Sequence, residues 1–131
     1  MTNLPTAVSV DVPATPAFVQ VLRNVVAGVA ARLDLPIDQI EDLRLAVTEA
    51  ASLLLGEGEP TGLRMTIGRD EASMDVTLTS DGRSDPWPTE RVMSSWPWLV
   101  VKGLTDDLRA DLGADSGPSI SFTKGRERVD R

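Results

Sequence analysis

The chain has 131 residues, 41% hydrophobic and 25% charged, which is the composition of a globular domain with enough apolar surface to build a core without staples. It has no Cys and no His, which excludes a thiol nucleophile, a disulfide framework, an imidazole base and a Cys/His zinc site and leaves carboxylates for acid–base or metal work. A net charge of −7 opposes binding to a phosphate backbone, and no run approaches the ~20 apolar residues of a membrane span, so a cytoplasmic protein without direct nucleic-acid or membrane contact is expected.

From Ala7 to Val12 the chain alternates, with Val8, Val10 and Val12 on one side and Ser9 and Asp11 on the other, the period of a half-buried strand that Pro13 ends. Thr15 and Pro16 supply an N-cap hydroxyl and a proline at the first helical position, where its missing N–H costs nothing, and predict a helix to about Leu33. Phe18, Val21, Leu22, Val25, Val29 and Leu33 form its core stripe, widened by Val19, Val26 and Ala30. The opposite side, with Gln20, Arg23 and Asn24, is weakly polar and reads as a solvent face or as an interaction surface.

Pro36 opens a second helix from Ile37 to Leu55, with Ile40, Leu43, Val47, Ala50 and Leu54 facing inward, and Gly56 and Gly58 end it. Leu63 to Ile67 and Met74 to Leu78 alternate on either side of a short loop and predict an antiparallel hairpin. From Thr79 to Pro97 the pattern dissolves into Asp, Gly, Ser and Pro, yet this stretch holds Trp87 and Trp96. A third helix is predicted from Trp98, carrying Val101, Leu104 and Leu108 and ending near Gly113, followed by a last strand from Ser119 to Thr123. A domain over 1–124 and a disordered mixed-charge tail over 125–131 complete the reading. The order implies an α+β fold, a two-layer α/β sandwich whose mixed, mostly antiparallel sheet is covered on one face by about three helices.

The most informative segment is Asp42-Leu43-Arg44-Leu45-Ala46-Val47-Thr48-Glu49-Ala50-Ala51-Ser52-Leu53, in which Asp42, Ala46, Glu49 and Leu53 share one stripe beside the core face. This run resembles the N-box helix of the GHKL superfamily, the histidine-kinase-like ATPase fold, and in particular its small anti-sigma factors that are also serine kinases. That helix reads approximately Asp-Leu-x-Leu-Ala-Val-x-Glu-Ala-x-x-Asn, matched here from Asp42 to Ser52. Ser80-Asp81-Gly82-Arg83-Ser84 stands in the place of the family's Asp-x-Gly-x-Gly box, Trp98 to Leu108 resembles the helix after its glycine-rich lid, and Ser119 to Lys124 its final strand.

Each departure from the resemblance falls on a group that handles ATP. The Asn that would ligate Mg²⁺ is Leu53, which offers no oxygen, and the Asp that would accept from the adenine amino group is Ser80. Gly82 is kept but the second glycine of the box is Ser84, while Ser94 and Trp96 align with lid glycines, where a bulky side chain obstructs close backbone approach to phosphates. Glu49 stands where active members keep the carboxylate that activates the attacking hydroxyl. The resemblance with these losses implies an anti-sigma factor-like regulator with no nucleotide cofactor and no metal, in which Glu49 is vestigial.

The implied partners are a sigma factor, an anti-anti-sigma (STAS) protein and a second copy of the chain paired through its first strand. Candidate partner-binding residues are Trp87, Trp96, Gln20, Arg23 and Asn24, with the alternative that the two tryptophans fold back to fill the vacated pocket. The acidic balance suits a partner with basic surfaces. Two other readings stay open: an active or weakly active ATP-dependent serine kinase acting on an anti-anti-sigma protein, and a non-transcriptional binding module on the same scaffold.

Overall fold

The structure, a computed structural model, describes residues 6–69, 73–113 and 117–125. Its elements run β1 (Thr6–Pro13), α1 (Pro16–Arg32), α2 (Ile37–Leu55), β2 (Gly62–Arg69), β3 (Ser73–Ser80), α3 (Glu90–Met93), α4 (Trp96–Leu104), β4 (Asp106–Leu112) and β5 (Pro118–Gly125). Among the described residues the strands form one five-stranded sheet in the order β1-β2-β3-β5-β4, and every pairing is antiparallel, so the sheet expected to be mixed has no parallel neighbours there. The tail expected to be disordered lies outside the described residues from 126 onward, and Gly125 ends β5.

Register sorts the two faces of the sheet. Val10, Met65, Leu78, Ile120 and Ala110 line up across all five strands on the side that the helices cover. The adjacent row, Asp11, Arg64, Thr79, Ser119 and Asp111, projects to the other side, because successive residues of a strand alternate. That uncovered face is knitted by polar pairs: Arg64 to Asp11 at 2.6 Å, Arg109 to Asp75 at 3.2 Å, and Thr77 to Ser121 at 3.0 Å.

On the covered face α2 packs between α1 and α4 and reaches β3 and β5. Leu43, Val47, Ala50 and Leu54 of α2 are fully buried, as the apolar period predicts; Ala46 and Ala51, outside the predicted face, are fully buried too, while Ile40 lies at the margin of the core. In α1 the core line is Val19, Leu22, Val26, Ala30 and Leu33, displaced from the predicted stripe: Phe18 and Val21 are 42% and 39% exposed. Apolar residues cover more than half of that helix surface, and the sheet and α2 decide which of its edges goes inside. Thr15 occupies the N-cap, but its side chain makes no cap bond; its carbonyl accepts from the Phe18 N–H instead.

The predicted third helix is corrected at both ends. It starts at Trp96, where Ser95 caps the Trp98 N–H, and stops at Leu104, after which 106–112 is the edge strand β4 rather than more helix. Leu104 and Leu108 are four apart and mimic a helical stripe, yet Leu108, Ala110 and Leu112 also alternate, and pairing with β5 selects the strand. Asp107 at φ 52° marks the irregularity between the Asp106 and Arg109 pairs. A one-turn helix, α3, capped by Thr89, interrupts the segment expected to be irregular.

Candidate functional site

Along the side stripe of the motif helix Ala46 is fully buried, and Asp42, Glu49 and Leu53 are half-buried. Lys124 from β5 ties the start of this stripe to the end of α4, donating to Asp42 Oδ2 at 3.2 Å and to the Leu104 carbonyl at 2.7 Å. The cation therefore satisfies the last carbonyl of α4, where the helix dipole favours positive charge. Leu53 packs against the core as an aliphatic side chain and offers no oxygen.

At the other end, α2 runs into a turn that receives the loop after β3. Gly58, at φ +71°, lies so close to Arg83 that a Cβ would sit 1.9 Å from the Arg83 carbonyl, and a Cβ on Gly82 would sit 2.6 Å from the Glu57 carbonyl. Backbone against backbone at these distances requires glycine on both sides. Gly82, read from sequence as a remnant of a phosphate-binding box, is thus held by the chain's own turn. Its N–H donates to Ser80 Oγ at 3.0 Å, and Ser80 is buried, so that hydroxyl is engaged within the loop.

Glu57 organises the rest of the loop. Its carboxylate accepts from the Ser84 hydroxyl at 3.0 Å and pairs with Arg91 at 3.5 Å. Next to it, the Asp81 carboxylate accepts from the Thr61 hydroxyl and from the N–H groups of Thr61 and Gly62, which holds its pKa below the usual carboxylate value. A cleft of about 440 Å³ opens beside Ser80 and Asp81, but its charged groups are engaged: Asp81 with Thr61, and Asp11 with Arg64, whose guanidinium also lowers the Asp11 pKa.

The two loop tryptophans part company. Trp87 is half-buried, packs against the core and donates its indole N–H to the Ser119 carbonyl at 3.3 Å. Trp96 is 73% exposed at the first turn of α4, and Met93 at the end of α3 and Leu99 three residues on in α4 are 44% and 49% exposed. The loop thus joins one aromatic to the interior and presents another to solvent. Gln20 and Asn24 are exposed on α1, and Gln20 accepts from Arg23 Nη1 at 3.1 Å. The α1 candidates and Trp96 stand on two different helices, each of which packs on α2.

Leu53, Ser80, Gly82 and Ser84 are therefore brought to one end of the molecule, around the turn after α2. Glu57 was not singled out by sequence reasoning, since a carboxylate just past a helix end reads as solvated. Its partner Ser84 is 27 residues away, beyond any local periodicity; the paired glycines Gly58 and Gly82 were the available signal. Lys124 was missed for the same reason. Among the described residues no group of three or more Asp and Glu side chains could hold a metal ion, and no helix is long and apolar enough to cross a membrane.

Comparison with known proteins agrees with this architecture. Residues 12–124 match the family model described as the histidine kinase-like ATPase domain. The serine-protein kinase RsbW of Bacillus subtilis is 40% identical over 151 aligned positions, covering 99% of this chain and 93% of the relative. RsbW of Bacillus licheniformis is 27% identical over 139 positions, covering 90% and 86%, and RsbW of Halalkalibacterium halodurans is 36% identical over 84 positions, covering 61% and 51%. The chain belongs to the histidine kinase-like ATPase family, among the relatives of the RsbW serine-protein kinases.

Proposed function

We propose that this chain is an anti-sigma factor-like regulator that holds a sigma factor in the cytoplasm by protein–protein contact, without a phosphoryl-transfer step of its own. The observation that carries the reading is the exposed apolar group Trp96, Met93 and Leu99 at the junction of α3 and α4. Tryptophan is the residue type most often found at the energetic centre of an interface, and the N-cap Ser95 with Pro97 in the first turn fixes the backbone that presents it. The net charge of −7 suits a partner with basic, DNA-binding surfaces. An anti-anti-sigma protein of the STAS kind is the expected competitor for the same surface, and edge pairing through β1, at one end of the sheet order, is the expected route to a homodimer.

What supports the nucleotide-free part is the fit of the residues to Mg-ATP. Leu53 supplies no metal ligand, Ser80 already accepts from Gly82, Ser84 donates to Glu57, and Gly82 has backbone at its open side. These are positioned contacts on which phosphoryl transfer depends, and here they are absent or spent within the chain. The competing reading, a serine kinase, is favoured by Glu49 and by the kinase names of the relatives. Calorimetry separates the two: the expected outcome is no saturable Mg-ATP or Mg-ADP binding below about millimolar, since two lost polar contacts of roughly 1.5–3 kcal/mol each remove several decades of affinity. Co-purification of a sigma factor from the native cell tests the regulatory part, and transcription assays free of inhibition for every such sigma factor would reject it.

A further inference from the structure

Asp81 keeps a negative charge that no cation answers. Its carboxylate accepts from the Thr61 hydroxyl and from the N–H groups of Thr61 and Gly62, all neutral donors, and among the described residues it forms no ion pair. Oδ1 takes both N–H bonds and Oδ2 takes the hydroxyl alone, so one lone pair of Oδ2 stays open. The same residue lines the cleft of about 440 Å³ that spans β1, β2 and β3, a volume within the range of small-molecule sites. The other polar side chains of the lining repeat one pattern, in which donors are used within the chain and acceptors are left over. Arg64 directs Nε and Nη2 at Asp11, whose two oxygens accept one bond each, and the Thr79 hydroxyl donates to Ser119 Oγ at 3.3 Å, which leaves its own oxygen to accept. Gly62 and Gly117 bring no side chain to fill the space. Asp11, Arg64 and Thr79 belong to the row that projects away from the helices, so the cleft is separate from the α2 side of the sheet, where Leu53 packs.

We propose that this cleft is a binding site for an alkylguanidinium, with Asp81 as the carboxylate that meets it. A ligand for such a lining has to bring donors and a positive charge and no acceptor of its own. A guanidinium has five N–H donors in one plane and no acceptor, and it matches a carboxylate with two parallel bonds. It is also more weakly hydrated than an ammonium, so it loses less on leaving water. Both carboxyl groups are held below the usual carboxylate value, Asp11 chiefly by its hydrogen bond from Arg64 and Asp81 chiefly by the Thr61 hydroxyl, so both charges are in place at neutral pH. Two carboxylates against the one Arg64 guanidinium leave the cleft a single negative charge, which one such cation neutralises. The site does not depend on the regulatory or the nucleotide-free reading of the chain.

The experiment is a titration of the full-length protein with butylguanidinium at fixed ionic strength, followed by backbone amide chemical shifts. Saturable shifts are expected at Gly62, Thr79, Asp81 and Gly117, with half-saturation at about millimolar concentration, a strength ordinary for so small a ligand. Butylurea, which has nearly the same outline without the charge, should bind about tenfold more weakly, because charge-assisted hydrogen bonds are the stronger kind. Asp81→Asn should lose about fivefold or more, whereas Glu90→Gln, which removes an exposed carboxylate from α3, should bind as wild type does. Shifts that do not saturate, shifts centred away from the cleft, equal binding of butylurea, or equal losses in the two variants would overturn the proposal. If Asp81→Asn does not fold, the comparison of the two ligands on wild type decides. N-acetylarginine amide separates the sources of the group: affinity above that of butylguanidinium assigns the cleft to an arginine side chain of a polypeptide, and equal or lower affinity assigns it to a free alkylguanidinium.

Discussion

Lys124 Nζ lies 3.2 Å from Asp42 Oδ2, which joins the last strand to the first residue of the motif within α2. The same ammonium donates to the Leu104 carbonyl, so one cation holds β5, α2 and α4 together. The two partners are unequally shielded: the Lys124 side chain is 16% exposed and that of Asp42 38%. Lys124→Met should therefore cost about 1–2 kcal/mol, leaving a helix-end carbonyl and a half-buried carboxylate without their donor. Asp42→Asn should cost less, because the Leu104 contact survives and Asp42 reaches water. Urea unfolding of the two variants checks the order, and equal losses would mean that the ion pair, not the carbonyl contact, dominates.

Trp87 and Trp96 should respond to truncation in opposite ways. Trp96→Ala removes an exposed side chain from the surface proposed to meet the partner. It should weaken sigma binding by ~2 kcal/mol or more and leave the melting temperature unchanged. Trp87→Ala removes a ring packed on the core together with its hydrogen bond and should cost about 2–4 kcal/mol of stability, with affinity per folded molecule nearly intact. Melting curves and a binding titration on each variant read both quantities, and a reversed pattern would exchange the roles of the two residues.

Much of the architecture is legible in the residue pattern because most elements have one strong period. Val8, Val10 and Val12, the two hairpin runs and the buried line of α2 each allow one reading. Two places do not. In α1 the neighbours Phe18 and Val19 are both apolar, and only the position of the sheet and of α2 sends Val19 inside and Phe18 out. Beyond Leu104 the leucines satisfy a period of 3.6 and a period of 2 at once, and the decision lies in β5, a partner that local sequence does not contain. The candidate site divides in the same way. Leu53, Ser80, Gly82 and Ser84 are found by the motif, whereas Glu57, which gathers Ser84 and Arg91, is found only in three dimensions.

Asp81 gives a pH prediction. Its pKa is lowered in the folded protein chiefly by the Thr61 hydroxyl, with the Gly62 and Thr61 N–H groups adding to it. A carboxylate with a depressed folded pKa contributes stability that is fully present above its unfolded value, near 3.8, and that disappears as the pH falls through the lower folded value. Asp81→Asn should therefore melt below wild type at pH 7, and the gap should close as the pH is lowered from 7 to below the unfolded value near 3.8. A gap that stays constant over that range would show that packing, not the charge, accounts for the loss. Thr61→Val should reproduce part of the effect, since it removes the first of the donors while keeping both N–H groups.

Leu53→Asn tests how far the site stands from nucleotide chemistry. The substitution restores the oxygen ligand that the family motif carries, and if that one position were the obstacle, Mg-ATP binding would return. The other groups argue against it: Ser80 is occupied by Gly82, Ser84 by Glu57, and Gly82 by the backbone of the turn after α2. None of these is released by a change in α2, so the variant should bind Mg-ATP no better than wild type and transfer no phosphate. It should also be less stable by about 1–2 kcal/mol, because Leu53 packs on the core and asparagine brings an amide to a half-buried position. Calorimetry with Mg-ATP and a melting curve on the same preparation read both effects. Micromolar binding by this single variant would show that the loop yields to nucleotide and that Leu53 alone had closed the site.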